Sequence, residues 1–178
     1  EGSVVAKSST LGIGELHYYM FSKYCEILTC TSPPSVTVSG TTTICAGQST
    51  TLNATASGGS GTYSTYTWNN SLGTGTSKTV SPVTTTTYIV TVTDSKGCTG
   101  TFSLTVTVNP KPTVSITGAS AVCVGSTTTL SPTTGGTWVS SNTAFATVTN
   151  AGVVTGIAPG TATFTFTNTS TGCVSNPT

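Results

Sequence analysis

Apolar and polar residues alternate along most of the chain, and this alternation predicts short β-strands. The clearest segments are "TTYIVTVTD" and "TFSLTVTV", in which apolar side chains recur at every second position. The intervening "DSKG" is typical of a hairpin turn. The pattern predicts six strands in the first half of the chain, at residues 35–39, 49–56, 64–69, 77–81, 86–93 and 101–108.

The chain also contains an internal repeat. The stretch "VTVSGTTTICAGQSTTL" (residues 36–52) aligns without a gap with "VSITGASAVCVGSTTTL" (residues 114–130). Both copies continue to a Gly-Gly pair, a strand that carries Trp, and a late Gly-Cys. Two copies of one supersecondary plan are therefore predicted. They are joined by the stiff linker Asn109-Pro110-Lys111-Pro112.

This organisation predicts an all-β chain with three parts. Short strands at regular spacing, with a Trp on the third strand of each copy, indicate two tandem immunoglobulin-like β-sandwiches. Trp68 and Trp138 are accordingly expected in the cores, although Trp68 with Tyr63 and Tyr66 could instead form a sugar-stacking platform. The predicted parts are an N-terminal arm (1–32), the first repeat (33–110) and the second repeat (111–178).

Two stretches resemble known bacterial families. The segment "WVSSNTAFATVTNAGVVTGIAPGTATFTF" (residues 138–166) resembles the bacterial immunoglobulin-like group 2 domain of surface adhesins. The first repeat is similar to PKD-like and other immunoglobulin-like repeats in large surface proteins of Bacteroidetes, through "ICAGQSTTL" and "YIVTVTDSKGC". The resemblance implies cell-surface or secreted arrays whose modules act as spacers, adhesive stalks or filament units. It carries over no catalytic residues.

Charge is scarce and argues against two classes of partner. Only 5% of residues are charged, the net charge is +1 and the chain has no Arg. From Thr31 onward the charged residues are Lys78, Asp94, Lys96 and Lys111. Nucleic acid and anionic lipid both require clustered Lys or Arg, so neither is predicted as a partner. The chain also lacks an apolar stretch long enough to span a membrane.

The sequence does not predict an enzyme. A Ser or Cys nucleophile needs an oriented base, and the single histidine, His17, lies in the N-terminal arm. Asp94 falls in a predicted hairpin turn, where Asp is expected for its turn-forming chemistry. Neither repeat has two carboxylates for acid–base hydrolysis or a cluster of oxygen ligands for calcium. No cofactor or metal is therefore predicted.

The six cysteines indicate an oxidising, extracellular compartment, because they form no CxxC pair and the chain has only one His. We expect all or nearly all of them to be oxidised. They are Cys25, Cys30, Cys45, Cys98, Cys123 and Cys173.

Two disulfide pairings remain open. The repeat alone favours one bridge within each copy, Cys45 with Cys98 and Cys123 with Cys173. Sandwich topology favours bridges at the junctions instead, because it puts Cys45 and Cys98 at opposite ends of one domain, beyond the reach of a disulfide. Junction pairing joins Cys45 to Cys173 and brings Cys98 near Cys25 and Cys30. It leaves Cys123 to find a partner in another molecule.

The second repeat has few residues for a last strand. The first repeat has residues 101–108 there, whereas the second has only residues 174–178, which include Pro177. The predicted vacancy suits strand donation by another molecule's arm, with an apolar patch of Ser3, Val4, Val5 and Ala6 as the donor.

The leading hypothesis is thus an extracellular filament or pilus-like subunit that binds other copies head to tail. The alternatives are a fragment of a long adhesin and a carbohydrate-binding accessory module with surface glycans as partners.

Overall fold

The computed structural model describes residues 30–178, and within this range the chain forms strands and turns with no helix. The expected all-β fold is confirmed. In chain order the strands are β1 (Pro34–Ser39), β2 (Thr43–Cys45), β3 (Thr50–Gly58), β4 (Tyr63–Trp68), β5 (Gly73–Thr74), β6 (Ser77–Val80), β7 (Thr86–Asp94), β8 (Thr99–Asn109), β9 (Ser115–Ile116), β10 (Thr127–Ser131), β11 (Gly136–Ser140), β12 (Ala146–Val148), β13 (Val153–Gly156) and β14 (Phe164–Asn168).

The strands of the first repeat form two sheets. One sheet has the order β1-β3-β6, and the other has the order β2-β8-β7-β4-β5. The short strand β2 pairs in parallel with the end of β8, which places Cys45 opposite Asn109. The other described pairings in this repeat are antiparallel. Two layers of this kind are the plan of a β-sandwich.

The second repeat follows the same plan with shorter strands. Its first sheet has the order β12-β13-β10-β9, and its second pairs β11 with β14. Between these sheets lies an apolar cluster in which the Trp138 and Phe166 rings stand 5.2 Å apart between centroids. The buried members of the cluster are Leu130, Trp138, Val154, Phe164 and Phe166.

Both tryptophans are core residues, as the sequence predicts. Trp68 is 4% exposed and Trp138 is 5% exposed. Each indole N–H donates to a backbone carbonyl, that of Gly75 at 2.8 Å and that of Pro132 at 2.9 Å. The rings can therefore be buried without leaving a polar group unsatisfied.

The position beside β14 is occupied by the chain itself, contrary to the expectation of a vacancy. Val174 forms a bridge with Thr167, and the N–H of Ser175 donates to Phe166 O at 2.8 Å. Pro177 has no N–H to donate, and the next one, that of Thr178, donates to Phe164 O at 3.0 Å. A short extended segment thus pairs along β14 despite its proline. The expected donor patch, Ser3 to Ala6, lies outside the described residues.

Contacts divide the chain into two compact units that do not follow the repeat boundary. The first unit contains the described residues up to Val38 together with Ala54–Thr76 and Ile89–Phe102. The second contains Ser39–Asn53, Ser77–Tyr88 and Ser103–Thr178. Part of the first repeat thus belongs to the same compact unit as the whole second repeat. No helix within residues 30–178 has the length and apolarity that a membrane span requires.

Candidate functional site: the cysteine-bridged hairpins

Residues 30–178 contain two disulfides, and both have the junction pairing. Cys30 is bonded to Cys98 with 5.4 Å between Cα atoms, and Cys45 to Cys173 with 5.6 Å. The pairing of Cys45 with Cys98 and of Cys123 with Cys173 is absent. Cys123 is a free, exposed thiol within this single chain, as the junction pairing expects. Cys25 lies outside the described residues.

Asp94 shapes the hairpin that presents Cys98. One carboxylate oxygen of Asp94 accepts from the N–H groups of Lys96 at 2.9 Å and Cys98 at 2.8 Å. The other accepts from the N–H of Ser60 at 2.9 Å. Gly97 completes the turn at a φ of +81°, a conformation that glycine adopts readily. The turn role predicted for Asp94 is therefore observed, together with a second role in holding the Ser60 loop.

The Asp94 carboxylate is buried but stays in its charged form. Burial alone raises the pKa of Asp94, because it disfavours the charged form. The hydrogen bonds from the Ser60, Cys98 and Lys96 N–H groups and from the Ser60 hydroxyl outweigh burial, and the pKa lies below its ordinary value of 3.8. The hairpin that carries Cys98 is thus built around a buried anion.

Asn168 has the equivalent role in the hairpin that presents Cys173. Its side-chain oxygen accepts from the N–H groups of Ser170 at 2.9 Å and Thr171 at 3.1 Å. The N–H of Gly172 donates to Asn168 O at 2.8 Å. The sequence analysis missed Asn168. The available signal was an Asp or Asn at the end of a strand a few residues before each Gly-Cys.

Cys45 lies in a tight turn beside the linker. Its carbonyl accepts from the N–H of Gln48 at 2.9 Å, and its own N–H donates to the Gln48 side chain at 3.0 Å. The N–H of Ala46 donates to Asn109 O at 2.9 Å. Cys173 is fully buried, and its sulfur lies 4.0 Å from the same Asn109 oxygen. The disulfide therefore sits against the start of the linker.

A hydrogen bond also ties the linker to the segment that follows Cys173. Lys111 Nζ donates to Asn176 Oδ1 at 3.0 Å. Lys111, Asn176, Cys45 and Cys173 all belong to the second compact unit. The site is thus a covalent and hydrogen-bonded connection between the two repeats, and its chemistry is structural.

The aromatic residues of the first repeat do not form the flat platform that sugar stacking requires. The Tyr63 and Tyr66 rings meet edge to face, with centroids 6.3 Å apart and planes at 77°. Trp68, the third candidate, is buried. Within residues 30–178, no group of three or more His, Cys, Asp or Glu side chains could hold a metal ion.

Two protein families match consecutive parts of the chain. The model of the immunoglobulin-like domain described as CHU_C associated matches residues 33–110. The model of the bacterial immunoglobulin-like domain, group 2, matches residues 102–175. None of the curated proteins matches the chain.

Solved structures resemble the chain distantly. One is described as a carbohydrate-binding module of the β-sandwich superfamily with promiscuous specificity. It shares 18% identity at a TM-score of 0.40, over 76% of this chain and 54% of that structure. The chain therefore spans about half the length of that relative. Another is murine CEACAM1b, with 15% identity and a TM-score of 0.35 over 80% of this chain and 96% of that one. Residues 33–175 thus match two immunoglobulin-like family models in tandem, one described as CHU_C associated and one as bacterial group 2.

Proposed function

We propose that the chain is a spacer segment of an extracellular bacterial surface protein of the adhesin type. The observation that carries the proposal is the Cys45–Cys173 disulfide, which bonds the first repeat to the second independently of the linker. Domains joined only by a short linker move relative to each other by default. A second covalent connection restricts that motion, which is the property a spacer requires.

The same chemistry supports an extracellular compartment. Disulfides persist outside the cytosol, and this chain has two among its described residues. Both matched families are immunoglobulin-like, and one is bacterial by its description. The low charge and the polar Thr-rich strands suit a module that contacts solvent along its length and carries no catalytic group. A structural role at the cell surface is consistent with each of these properties.

Force spectroscopy tests the proposal because a spacer keeps its length under tension. The chain is held by its two ends and pulled in oxidising buffer. The disulfide carries the force directly from Cys45 to Cys173, so the chain between them is not stretched. Each residue that is not stretched shortens the total extension by about 3.3 to 3.6 Å. We expect wild-type protein to extend less than the Cys45→Ser/Cys173→Ser variant.

Reduction of both proteins is the control, since it removes the bypass and should make their extensions equal. Equal extension of the two oxidised proteins at the same force contradicts the spacer proposal.

A filament or pilus-like subunit is the second candidate. The observation in its favour is the exposed thiol of Cys123 next to an apolar groove in the second repeat. Strand donation now has to use this groove, because the chain's own residues occupy the position beside β14.

Negative-stain microscopy of wild-type protein, compared with a variant lacking residues 1–14, separates the candidates. Fibres that disappear with the deletion support the filament, and monomers in both samples exclude it.

A further inference from the structure

Cys45 and Cys123 occupy the same turn in the two repeats. In the first repeat the N–H of Gln48 donates to Cys45 O at 2.9 Å, and in the second the N–H of Ser126 donates to Cys123 O at 3.0 Å. The glycines of the two turns have nearly the same φ, +86° at Gly47 and +81° at Gly125. The two cysteines therefore have equivalent backbone positions. Cys45 is bonded to Cys173, whereas Cys123 is free and exposed.

The surroundings of the two cysteines differ in one respect. Residues 43–45 form the strand β2, which lies in parallel beside the end of β8. The equivalent residues 121–123 belong to no strand in the described part of the chain. They line a groove of about 490 Å³ instead. Apolar side chains dominate the lining, including those of Val122, Leu130, Phe145, Pro159 and Phe164.

One residue of the groove lining also has a buried polar atom without a hydrogen-bond partner among the described residues. Thr128 lines the groove, and its hydroxyl oxygen is buried with no hydrogen-bond partner among the described residues. A buried hydroxyl without a partner costs free energy. Val124, next to Cys123, is 60% exposed. An extended apolar segment in the groove covers the apolar walls and pairs with the backbone of residues 121–123, which belong to no strand in the described part of the chain.

We propose that Cys123 and this groove are the docking surface for a further immunoglobulin-like module that carries a Gly-Cys hairpin. The segment that leads into that module lies in parallel along residues 121–123, as the end of β8, which leads into the second repeat, lies along β2. Its hairpin cysteine bonds to Cys123, as Cys173 bonds to Cys45. Both described hairpin cysteines, Cys98 and Cys173, bond to a cysteine outside their own repeat. The proposed junction at Cys123 thus has the same arrangement as the observed junction at Cys45.

The bond forms by oxidation of two thiols. Cys123 and the hairpin cysteine each lose a proton, their sulfurs become joined, and two electrons pass to a disulfide oxidant. With glutathione disulfide as that oxidant, the products are the protein disulfide and two molecules of reduced glutathione. The proposal extends the spacer role to a further junction, but it rests on Cys123 and not on the Cys45–Cys173 bond.

The test uses the full chain extended by a copy of its own residues 104–178. Thr178 corresponds to Ser103 in the repeat, so attaching Leu104 directly after Thr178 keeps the strand register. Cys25→Ser removes the cysteine that lies outside the described residues, Cys123→Ser in the added copy leaves the original Cys123 as the one to be mapped, and Ser170→Ala in the added copy marks its hairpin by mass. After oxidation in glutathione buffer, peptide mapping should find Cys123 of the original repeat bonded to the marked hairpin. Maleimide labelling of this Cys123 should fall by at least about tenfold relative to the unextended chain.

A relocated thiol is the matched control. In Cys123→Ser/Ala151→Cys the thiol moves to an exposed turn of the same repeat, and we expect no bond to the added hairpin. The Cys45–Cys173 peptide in the same digest reports that the extended chain has folded. If that peptide is present while Cys123 stays reactive, or if the relocated thiol bonds equally well, the proposal is wrong and the spacer role of the first junction is unaffected.

A second measurement does not depend on folding of the extended chain. A synthetic peptide of residues 103–111 is added to the wild-type protein and should protect Cys123 from maleimide, because it supplies the end of β8 and the start of the linker. A scrambled peptide should give no protection. Protection by a peptide of residues 1–14, with none from residues 103–111, overturns the proposal in favour of strand donation by the arm. Absence of protection by all peptides also overturns it.

Discussion

Cys45 and Cys173 are separated by 128 residues in sequence and are joined by a disulfide with 5.6 Å between their Cα atoms. Asn109, the first residue of the linker, lies against both: it pairs with Cys45 and its carbonyl oxygen is 4.0 Å from the Cys173 sulfur. The bridge therefore fixes the hairpin of the second repeat to the point where the first repeat ends. The two repeats are therefore joined by a disulfide as well as by the linker.

Loss of this bridge should destabilise the protein by about 2 to 5 kcal/mol, because the unfolded chain is then no longer constrained by a long covalent loop. The change is Cys45→Ser/Cys173→Ser, and the measurement is the free energy of unfolding in guanidinium chloride without reductant. Cys123→Ser is the control, since Cys123 forms no bond, and it should change stability by less than about 0.5 kcal/mol. Equal stability of the double variant and wild type would falsify the structural role of the bridge.

Acid should remove the stabilising effect of Asp94. Its pKa in the folded protein lies below the ordinary value of 3.8, so its charged form is favoured by folding. The stabilisation is complete above pH 3.8 and is lost as the pH falls through the lower folded pKa. Asp94→Asn should therefore be less stable than wild type at pH 7, and the difference should shrink toward pH 2.

Asp94 is the only carboxylate side chain in residues 30–178, so no other acidic side chain there contributes to this difference. Chemical denaturation at several pH values measures it. A stability difference that is the same at pH 2 and pH 7 contradicts the assigned role of the charge.

Trp138→Ala should destabilise the protein by about 3 to 5 kcal/mol, because it leaves a cavity against Phe166 and removes a large buried surface. The adjacent Val139 is the matched control. Its side chain is 57% exposed, and Val139→Ala should change stability by less than about 0.5 kcal/mol. Denaturant unfolding gives both values, and similar losses for the two variants would show that Trp138 is not a core residue.

Gly136→Ala should disrupt the pairing of β11 with β14. A methyl group at this position collides with the carbonyl oxygen of Thr167 and with the Phe166 ring, whose Cε1 atom lies 2.7 Å away. Overpacking of this kind costs about 1 to 3 kcal/mol. The neighbouring Gly135 faces open space at a φ of +83°, so Gly135→Ala should cost only about 1 kcal/mol of backbone strain. The melting temperature of Gly136→Ala should therefore be the lower of the two. A lower melting temperature for Gly135→Ala argues against the described register.

Alternation of apolar residues was enough to locate the longer strands. The six strands predicted in the first repeat correspond to β1, β3, β4, β6, β7 and β8 with small shifts at their ends. The strands β2 and β5 were missed because three and two residues are too short to show a period. β2 matters most, since its parallel pairing with β8 places Cys45 beside the linker.

Pairing of the cysteines depended on which end of a sandwich each hairpin occupies. The repeat alone suggested bridges within each copy, and only the topological argument joined Cys45 to Cys173. The pairing of residues 174–178 with β14 was harder to predict. Pro177 suggested an empty position beside β14, but the flanking N–H groups of Ser175 and Thr178 suffice for pairing. The buried hydrogen bonds of Asp94 were also beyond the sequence, since they depend on a loop 34 residues away.

Non-reducing peptide mapping of the native protein tests the central claim most directly. Thermolysin cleaves before aliphatic residues, so it separates Cys30 from Cys45 at Val36 and Val38. We predict linked peptides that contain Cys45 with Cys173 and Cys30 with Cys98, which together define a covalent connection between the repeats. Linked peptides that contain Cys45 with Cys98 and Cys123 with Cys173 would show that each repeat is bridged only within itself, and would contradict the account.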